Sequence, residues 1–410
     1  MVHSSKFQIP TLEDIRDAAK RIEGIAQVTP LDYSATFSEF TRNNIYIKME
    51  NLQKTGSFKI RGAYNRLATM PIEQLQRGVI AASAGNHAQG VAFAASRLHV
   101  PCTIVMPENA SLAKIAATQR YGANVVLYGE SYDDAYQQAL ELCQEQSLSY
   151  IHAFDDPMIV AGQGTVGLEI LSSLPKVDAI VVPMGGGGLA TGIAIAVKTL
   201  SPNTKVYGIQ SANVSSFRQS LDIGEVTTVQ ASATIADGIA VKRPGNLTFA
   251  LAQQWIDDVL TVEEEEISRT MVMLLERCKL VTEGAAASAM AAALYHKIPE
   301  NLGNVVIVLS GGNVDVTILS KIIEHGLIEA GRYVRLSVTV PDKPGSLRDV
   351  LDIVADLRAN VLSVQHHRVG SKILFGYTEI EIDLETRDKR HIERLTAVLT
   401  SRGYQPTLVD

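Results

Sequence analysis

Short apolar runs alternate with stretches of helical periodicity along the chain, up to about residue 325. One such unit starts at PCTIVMP, residues 101–107, a run typical of a β-strand. A helical stretch follows and ends before Gly122, where a helix commonly stops, and the apolar run ANVVLYG comes next. The runs VDAIVVPM and NVVIVLS repeat the arrangement, each with glycines nearby. This alternation predicts an α/β fold with largely parallel sheets.

The pattern changes in the last segment of the chain. YVRLSVTV, ANVLSVQHHR and KILFGYTEIEIDL are typical of strands, and two amphipathic helical stretches lie among them. With the final run YQPTLV, the order predicts a small α+β domain of the ferredoxin-like type. We therefore expect a main domain over residues 1–325 with a nested smaller lobe at about 55–155, a linker over 326–332, and a second domain over 333–410.

Composition narrows the classes of function. The 410 residues are 46% hydrophobic and 20% charged, with a formal net charge of −7, which is ordinary for a globular protein. A mildly acidic chain without a basic run is not suited to nucleic acid or to an anionic membrane surface. The N-terminus has no apolar segment typical of a secretory signal, and no apolar run reaches membrane-spanning length. We expect a cytoplasmic protein.

Two features raise the question of a metal site. Cys102, Cys143 and Cys278 are too widely spaced for a zinc site or a disulfide framework, so we expect buried thiols in a reducing compartment. The acidic run Glu263–Glu266 opens a helical pattern, where carboxylates favour the positive end of the helix dipole. We therefore expect helix capping at this run, and no metal site.

A lysine that follows an aromatic residue is the strongest chemical signal. Lys59 lies in KTGSFKIRGA, directly after Phe58, and a helical pattern begins beside it. Lysine forms a Schiff base with an aldehyde cofactor and moves protons when burial lowers its pKa. An isolated lysine is more often a solvated side chain on a helix, so the motifs around it decide its role.

Three further motifs lie at the ends of apolar runs. At Ser83–His87 such a run meets an alanine-rich helical pattern, whose free N–H groups suit an anion such as a substrate carboxylate. Gly185–Gly188 form a run without Cβ atoms, in which several N–H groups can converge on a phosphate. Ser310 ends a third run, where a neutral hydroxyl could face a heterocycle nitrogen. Each motif alone is also typical of an ordinary turn between a strand and a helix.

In combination, these motifs resemble one enzyme family. SFKIRGA, SAGNHAQG, GGGGL and SGGN occur in that order over about residues 5–325 and are similar to motifs of threonine dehydratases (threonine ammonia-lyases). That family belongs to the tryptophan-synthase-β-like group of pyridoxal-phosphate enzymes. The resemblance implies a two-lobed tryptophan-synthase-β-like fold and pyridoxal 5′-phosphate as cofactor. It also implies elimination of water and ammonia from L-threonine to give 2-oxobutanoate, and from L-serine to give pyruvate.

The resemblance also implies a role for each motif residue. Lys59 would bond the cofactor covalently and act as the catalytic base, and Phe58 would flank the cofactor ring. Asn86 would contact the ring hydroxyl, and Ser310 would face the ring nitrogen. The other residues form a phosphate cradle and a turn for the substrate carboxylate: Gly185, Gly186, Gly187, Gly188 and Leu189 in the cradle, and Ser83, Ala84, Gly85, Asn86 and His87 in the turn.

The C-terminal segment resembles an ACT domain, a small regulatory module that binds amino acids. VTVPDKPGSLRDVL contains the Pro-Gly-x-Leu turn between the first strand and the first helix. In that family, domains pair and bind an effector between them. The resemblance implies a homodimer or homotetramer controlled by isoleucine or, second, valine. The candidate effector residues are Asp342, Pro344, Gly345 and Asn360.

Two differences in sequence distinguish this chain from related racemases and from relatives with a cation site. Serine racemases of this group carry a second serine where this chain has Ala84, and because alanine cannot carry a proton we expect a dehydratase. Relatives with a cation site carry a glutamate and an aspartate where this chain has Gln210 and Ser216, so we expect no divalent requirement there. The alternatives are a serine racemase, another enzyme of this fold such as threonine synthase or a cysteine synthase, and an amino-acid sensor with a degenerate catalytic domain.

Overall fold

The computed structural model of the chain describes residues 8–368 and 374–409. The chain divides into two compact units, residues 1–315 and 316–410. Residues 316–325, which the sequence pattern places with the main domain, group with the second unit because they belong to one continuous helix, Val316–Glu329.

The first unit combines two sheets with helices on their faces. Its strands are β1 Leu31–Tyr33, β2 Asn44–Met49, β3 Val79–Ala82, β4 Cys102–Met106, β5 Asn124–Leu127, β6 Ser149–Tyr150, β7 Ala179–Pro183, β8 Lys205–Ser211, β9 Asp258–Val262 and β10 Asn304–Leu309. Its α-helices are α1 Leu12–Ile22, α2 Ala35–Thr41, α3 Lys59–Ala68, α4 Ile72–Arg77, α5 Asn86–Leu98, α6 Leu112–Arg120, α7 Tyr132–Glu145, α8 Pro157–Ser173, α9 Gly188–Leu200, α10 Ser216–Ile223, α11 Asn246–Trp255, α12 Glu264–Met273 and α13 Gly284–Leu294. Short 3₁₀ turns lie at Glu50–Leu52, Ala212–Val214 and Asp237–Ile239, and a π-helical turn at Leu274–Cys278 follows α12.

The larger sheet has the strand order β1-β2-β10-β7-β8-β9, and the smaller one has the order β5-β4-β3-β6. Every pairing in them is parallel except that of β1 with β2. The smaller sheet lies within the predicted nested lobe. Strands β7 and β10 are buried along almost their whole length, which explains why their sequences are continuous apolar runs. The predicted α/β class with largely parallel sheets is confirmed.

The second unit begins with α14, Val316–Glu329, and continues as β11 Tyr333–Pro341, α15 Ser346–Asp356, β12 Asn360–His367, β13 Tyr377–Glu385, α16 Lys389–Ser401 and β14 Pro406–Val409. Its sheet is antiparallel, in the order β12-β13-β11-β14. Alternate residues of β11 and β13 form the core with α15 and α16. This is the ferredoxin-like arrangement that the sequence pattern predicts.

Two of the sequence-based expectations concern local chemistry. Glu263 and Glu266 form a capping box at the start of α12, with the Glu263 N–H donating to the Glu266 carboxylate at 2.9 Å, so the capping prediction is confirmed. All three cysteines are free, but only Cys102 is buried, while Cys143 and Cys278 are half-buried. Among the described helices, none is both long and apolar enough to cross a membrane.

Candidate active site

The predicted motif residues lie where parallel strands end. Ser83 directly follows β3, and Ser310 directly follows β10, while Gly185 comes soon after β7. Lys59 and Asn86 are the first residues of α3 and α5. Loops at the carboxyl ends of parallel strands, together with the helix N-termini that follow them, form the usual ligand sites of α/β folds.

Lys59 is half-buried at the start of α3. Its Nζ donates a hydrogen bond to the Ala153 carbonyl at 3.0 Å and lies 5.3 Å from the ring centroid of Phe58. Burial lowers the pKa of Lys59 to about 8, against the opposing effect of the Glu283 carboxylate. A lysine with this pKa is partly neutral near neutral pH, so it can act as a nucleophile or as a base.

A buried ion network anchors the helix that carries Lys59. Arg61 is two residues further along α3, so it projects from a different side of the helix. Its guanidinium donates to both carboxylate oxygens of Glu50, at 2.8 Å each, and to those of Glu169 at 2.6 and 3.0 Å. The network ties α3 to the end of β2 and to α8, and thereby holds the backbone position of Lys59.

The Ser83–His87 turn leads into α5. The Ser83 hydroxyl accepts from the Gly85 N–H at 3.2 Å, and a Cβ built on Gly85 would meet no described atom within 4 Å. His87 is buried, its Nε2 lies 2.9 Å from the Ile151 carbonyl oxygen, and burial lowers its pKa to about 3. A neutral His87 therefore donates to that carbonyl and supports the turn, which lies at the start of α5, where free helix N–H groups suit an anion.

Asn86 is held by two polar side chains. Its Nδ2 donates to the two carboxylate oxygens of Glu283 at 2.8 and 2.9 Å, and its Oδ1 accepts from Asn313 Nδ2 at 2.8 Å. Burial raises the pKa of Glu283 to about 7, against the opposing effect of the hydrogen bond from Asn86. The Glu283 N–H donates to the Gly311 carbonyl at 3.2 Å, so this one residue joins Asn86 to the loop that follows Ser310.

Glu283 and Asn313 are site residues that the sequence analysis did not select. In LVTEGAAASAM, Glu283 is simply a carboxylate before an alanine-rich helix, which is typical of ordinary capping. Its bond to Asn86 spans 197 positions, so no local pattern reports it. Asn313 could have been selected from the sequence, because it completes the SGGN motif that begins at Ser310.

The glycine turn Gly185–Gly188 leads from β7 into α9 and is buried. Gly187 has a φ of +91°, in the left-handed region that favours glycine. A Cβ on Gly186 would overlap the ring of Phe154. The N–H groups of this turn lie at the start of α9, an arrangement suited to a phosphate. Leu189 packs its side chain in the core, which leaves its backbone N–H as the group that an anion could contact.

Ser310 is 2% exposed and lies next to the loop that carries the lysine. Its carbonyl accepts from the Phe58 N–H at 3.1 Å, and Ser57 forms an isolated antiparallel bridge with Gly311. These contacts join the end of β10 to the start of α3. The site therefore combines Lys59, a buried hydroxyl and a phosphate-type turn on linked loops, and these residues fit an aldehyde cofactor that carries a phosphate.

Gln210 and Ser216, which stand where relatives with a cation site carry carboxylates, are both neutral. Gln210 Oε1 accepts from the N–H groups of Phe217 and Arg218 at 2.9 and 3.1 Å and so caps α10. Its Nε2 is buried and has no partner among the described residues. The Ser216 hydroxyl donates to the Val241 carbonyl at 2.6 Å. A buried amide N–H is unfavourable beside a cation, because its hydrogen carries partial positive charge.

The candidate effector residues do not form one site within a single chain. Asp342, Pro344 and Gly345 lie in the turn between β11 and α15, where Gly345 has a φ of +98°. Asn360 is the first residue of β12 and pairs with Glu385, the last residue of β13. Because β11 and β13 are antiparallel, this pair lies at the opposite end of the sheet from the turn.

Comparison with known proteins places the chain in a family. A family model described as "Pyridoxal-phosphate dependent enzyme" matches residues 22–311, and an "ACT domain" model matches residues 334–403. The chain is 48% identical to L-threonine ammonia-lyase of Thermotoga maritima over 399 residues, 97% of this chain and 99% of that protein.

Two solved structures extend the comparison. One is the processed form of threonine deaminase isoform 2 from Solanum lycopersicum, at 37% identity and a TM-score of 0.73, covering 79% of this chain and 93% of that one. The other is maize serine racemase, at 32% identity and a TM-score of 0.74, covering 78% and 99%. These matches confirm the resemblance inferred from the motifs. The chain belongs to the pyridoxal-phosphate dependent enzyme family and carries an ACT domain at its C-terminal end.

Proposed function

We propose that the chain is a threonine ammonia-lyase, which eliminates water and then ammonia from L-threonine to give 2-oxobutanoate and also converts L-serine to pyruvate. The observation that carries the proposal is Lys59, a lysine at a helix start whose pKa is lowered to about 8 by burial. The near full-length similarity to an L-threonine ammonia-lyase supports the choice of substrate.

The cofactor would be held by residues from several loops. The glycine turn Gly185–Gly188 would bind its phosphate, and the Phe58 ring would flank its own ring. Asn86 would contact the ring hydroxyl and Ser310 the ring nitrogen. When bound, the cofactor supplies an electron sink for the pair left behind by the departing α-proton.

Two parts of the chain would act on the substrate. Lys59 Nζ takes the α-proton, which its lowered pKa allows because part of the amine population is neutral near pH 7. The N–H groups of the Ser83–His87 turn receive the substrate carboxylate at the start of α5. Burial lowers the pKa of His87 to about 3 and its Nε2 is bonded to Ile151, so His87 is too weak a base to compete with Lys59.

A serine racemase is the second candidate, because a solved racemase matches this fold as closely as a threonine deaminase does. Racemisation by two bases needs a proton carrier on the face opposite Lys59. Ala84 lies in the carboxylate turn and has no group that carries a proton, which favours elimination. Incubation with L-serine distinguishes the two: pyruvate forming faster than D-serine supports the dehydratase, and the reverse order supports a racemase.

We further propose that the ACT domain pairs with that of a second copy and binds isoleucine or valine between the two. β12 is an edge strand with exposed apolar residues, of which Val361, Leu362 and Val364 are 39%, 53% and 37% exposed. Such an edge is suited to pairing with another strand. Pairing would also allow Asn360 of one chain to approach the Asp342–Gly345 turn of the other. Within a single chain these residues lie at opposite ends of the sheet.

The decisive experiment has two arms: a steady-state assay of the unreduced holoenzyme with both substrates, and borohydride reduction of a separate sample followed by peptide mapping. We expect the label on Lys59 and production of 2-oxobutanoate from L-threonine. A label on another side chain would contradict the proposed site. A label on Lys59 in the reduced sample, with no turnover of either substrate by the unreduced sample, would support the alternative of an amino-acid sensor.

A further inference from the structure

Residues 152–156, between β6 and α8, form a short segment that we call the 152–156 strap. The Ala153 carbonyl accepts the hydrogen bond from Lys59 Nζ at 3.0 Å. The ring of Phe154 lies against Gly186, where a Cβ would overlap it. The strap therefore contacts both the lysine and the glycine turn.

Asp155 connects the strap to the glycine turn by a second route. Its carboxylate accepts from the N–H groups of Asn246 at 3.0 Å and Thr248 at 3.1 Å, and so caps α11. The Thr248 hydroxyl donates to the Gly186 carbonyl at 2.7 Å. A shift of the strap would thus move two supports of the glycine turn together with the acceptor of Lys59.

His152 holds the conformation of this strap. Its Nδ1 accepts from the N–H groups of Phe154 at 3.2 Å and Asp155 at 2.9 Å. A ring nitrogen that accepts two backbone hydrogen bonds carries no proton, so the imidazole is neutral with its proton on Nε2. Burial also lowers the pKa of His152, which favours the neutral ring. The Asp155 charge opposes this shift, and the Lys59 charge lowers the pKa further. Its ring also packs edge-on against Phe154, with centroids 4.7 Å apart.

We propose that His152 is a positioning residue whose Nδ1 fixes the strap and thereby the placement of Lys59 relative to the glycine turn. This inference rests on the proposed function, since a cofactor held at once by the lysine and by the phosphate turn needs a constant spacing between them. Without the acceptor, two backbone N–H groups lose their partner and the strap must rearrange to satisfy them.

Two substitutions separate the acceptor from the ring. His152→Asn keeps an acceptor atom at the same bond distance from the backbone but loses the ring, and His152→Phe keeps a ring but loses the acceptor. For each holoenzyme we would measure the rate at which pyridoxal phosphate dissociates, together with kcat and KM for L-threonine. We expect His152→Phe to release the cofactor about tenfold faster or more and to lose kcat by a similar factor, with His152→Asn within about threefold of wild type.

A control and a fallback variant keep the test decisive. A row of ring contacts leads outward from His152 through Tyr150 and Tyr136 to Tyr132. Tyr132→Phe alters the outer end of this row and should leave cofactor release unchanged. His152→Gln moves the acceptor one bond outward and replaces His152→Phe if that variant does not fold. Equal defects in the Asn and Phe variants, or a lowered melting temperature with wild-type cofactor release, would overturn the proposal. If the wild type does not deaminate threonine, the proposed function fails, while the cofactor release rates still test the role of the strap.

Discussion

In the first unit, residues distant in sequence meet in one connected polar network, whereas in the second unit the candidate ligand residues lie at opposite ends of one sheet. Asn86, Glu283 and Asn313 come from three segments distant in sequence and are joined by hydrogen bonds of 2.8 to 2.9 Å. Asn360 and the Asp342–Gly345 turn have no such connection within the described chain. The contrast supports the two proposals made above: a catalytic site within one chain, and an effector site between two copies.

The largest expected effect concerns the residue on which the catalytic site depends. Lys59→Ala should lower kcat for L-threonine by at least about 10⁴-fold, because both the bond to the cofactor and the base are lost. The measurement is the rate of 2-oxobutanoate formation at saturating pyridoxal phosphate. Lys54→Ala is the matched control, since Lys54 is exposed and bonded to the Gly24 carbonyl, and it should retain wild-type activity. Comparable losses in both variants would contradict the assignment.

The buried carboxyl of Glu283 gives the next largest effect, on stability. Burial raises the pKa of Glu283 from 4.5 to about 7, so the folded protein holds this proton more tightly than the unfolded chain does. The stabilisation is fully present below pH 4.5 and is lost as the pH rises through about 7. Relative to Glu283→Gln, the wild type should lose about 3 kcal/mol of unfolding free energy across this range, at about 1.4 kcal/mol per pH unit.

Denaturant unfolding of both proteins in the absence of added cofactor, from pH 4.5 to 8, provides the measurement for Glu283. Glu39→Gln removes a carboxylate on the exposed surface and should show a constant difference from the wild type over the same range. A difference between the wild type and Glu283→Gln that does not vary with pH would mean that folding does not raise the pKa of Glu283.

A smaller effect is expected from breaking the edge of the ACT sheet. Val364→Lys places a charge on β12, which should weaken pairing between copies while kcat without effector stays within about twofold of wild type. Any response to isoleucine or valine, typically worth 1–3 kcal/mol of coupling, should disappear. Ser401→Lys, at the exposed end of α16, is the control. Retention of both the oligomer, measured by analytical ultracentrifugation, and the response would contradict the shared site.

The same contrast explains how much of the molecule could be predicted from its sequence. Lys59, the glycine turn and the Ser83–His87 turn are short contiguous motifs at strand ends, so local pattern and chemistry suffice to select them. Glu283 and the 152–156 strap act through contacts between distant segments, and their local sequences are typical of ordinary caps and turns. The ferredoxin-like order was predictable from the alternation of β11 to β14, but the proposed pairing of two copies has no signal in the hydrophobic pattern of one chain.

The smallest expected effect is that of divalent ions on kcat. It tests whether the first unit is active without a cation bound near Gln210. Because Gln210 Oε1 already accepts two N–H groups and its Nε2 presents a donor, EDTA should leave kcat for L-threonine unchanged. The double variant Gln210→Glu, Ser216→Asp supplies the two missing carboxylates, and we expect its melting temperature to rise on addition of magnesium while that of the wild type does not. Ser216→Asp alone is the control, because one carboxylate beside the Gln210 amide should bind the ion poorly. Loss of wild-type activity in EDTA, with recovery on adding magnesium, would contradict the expected independence from divalent ions.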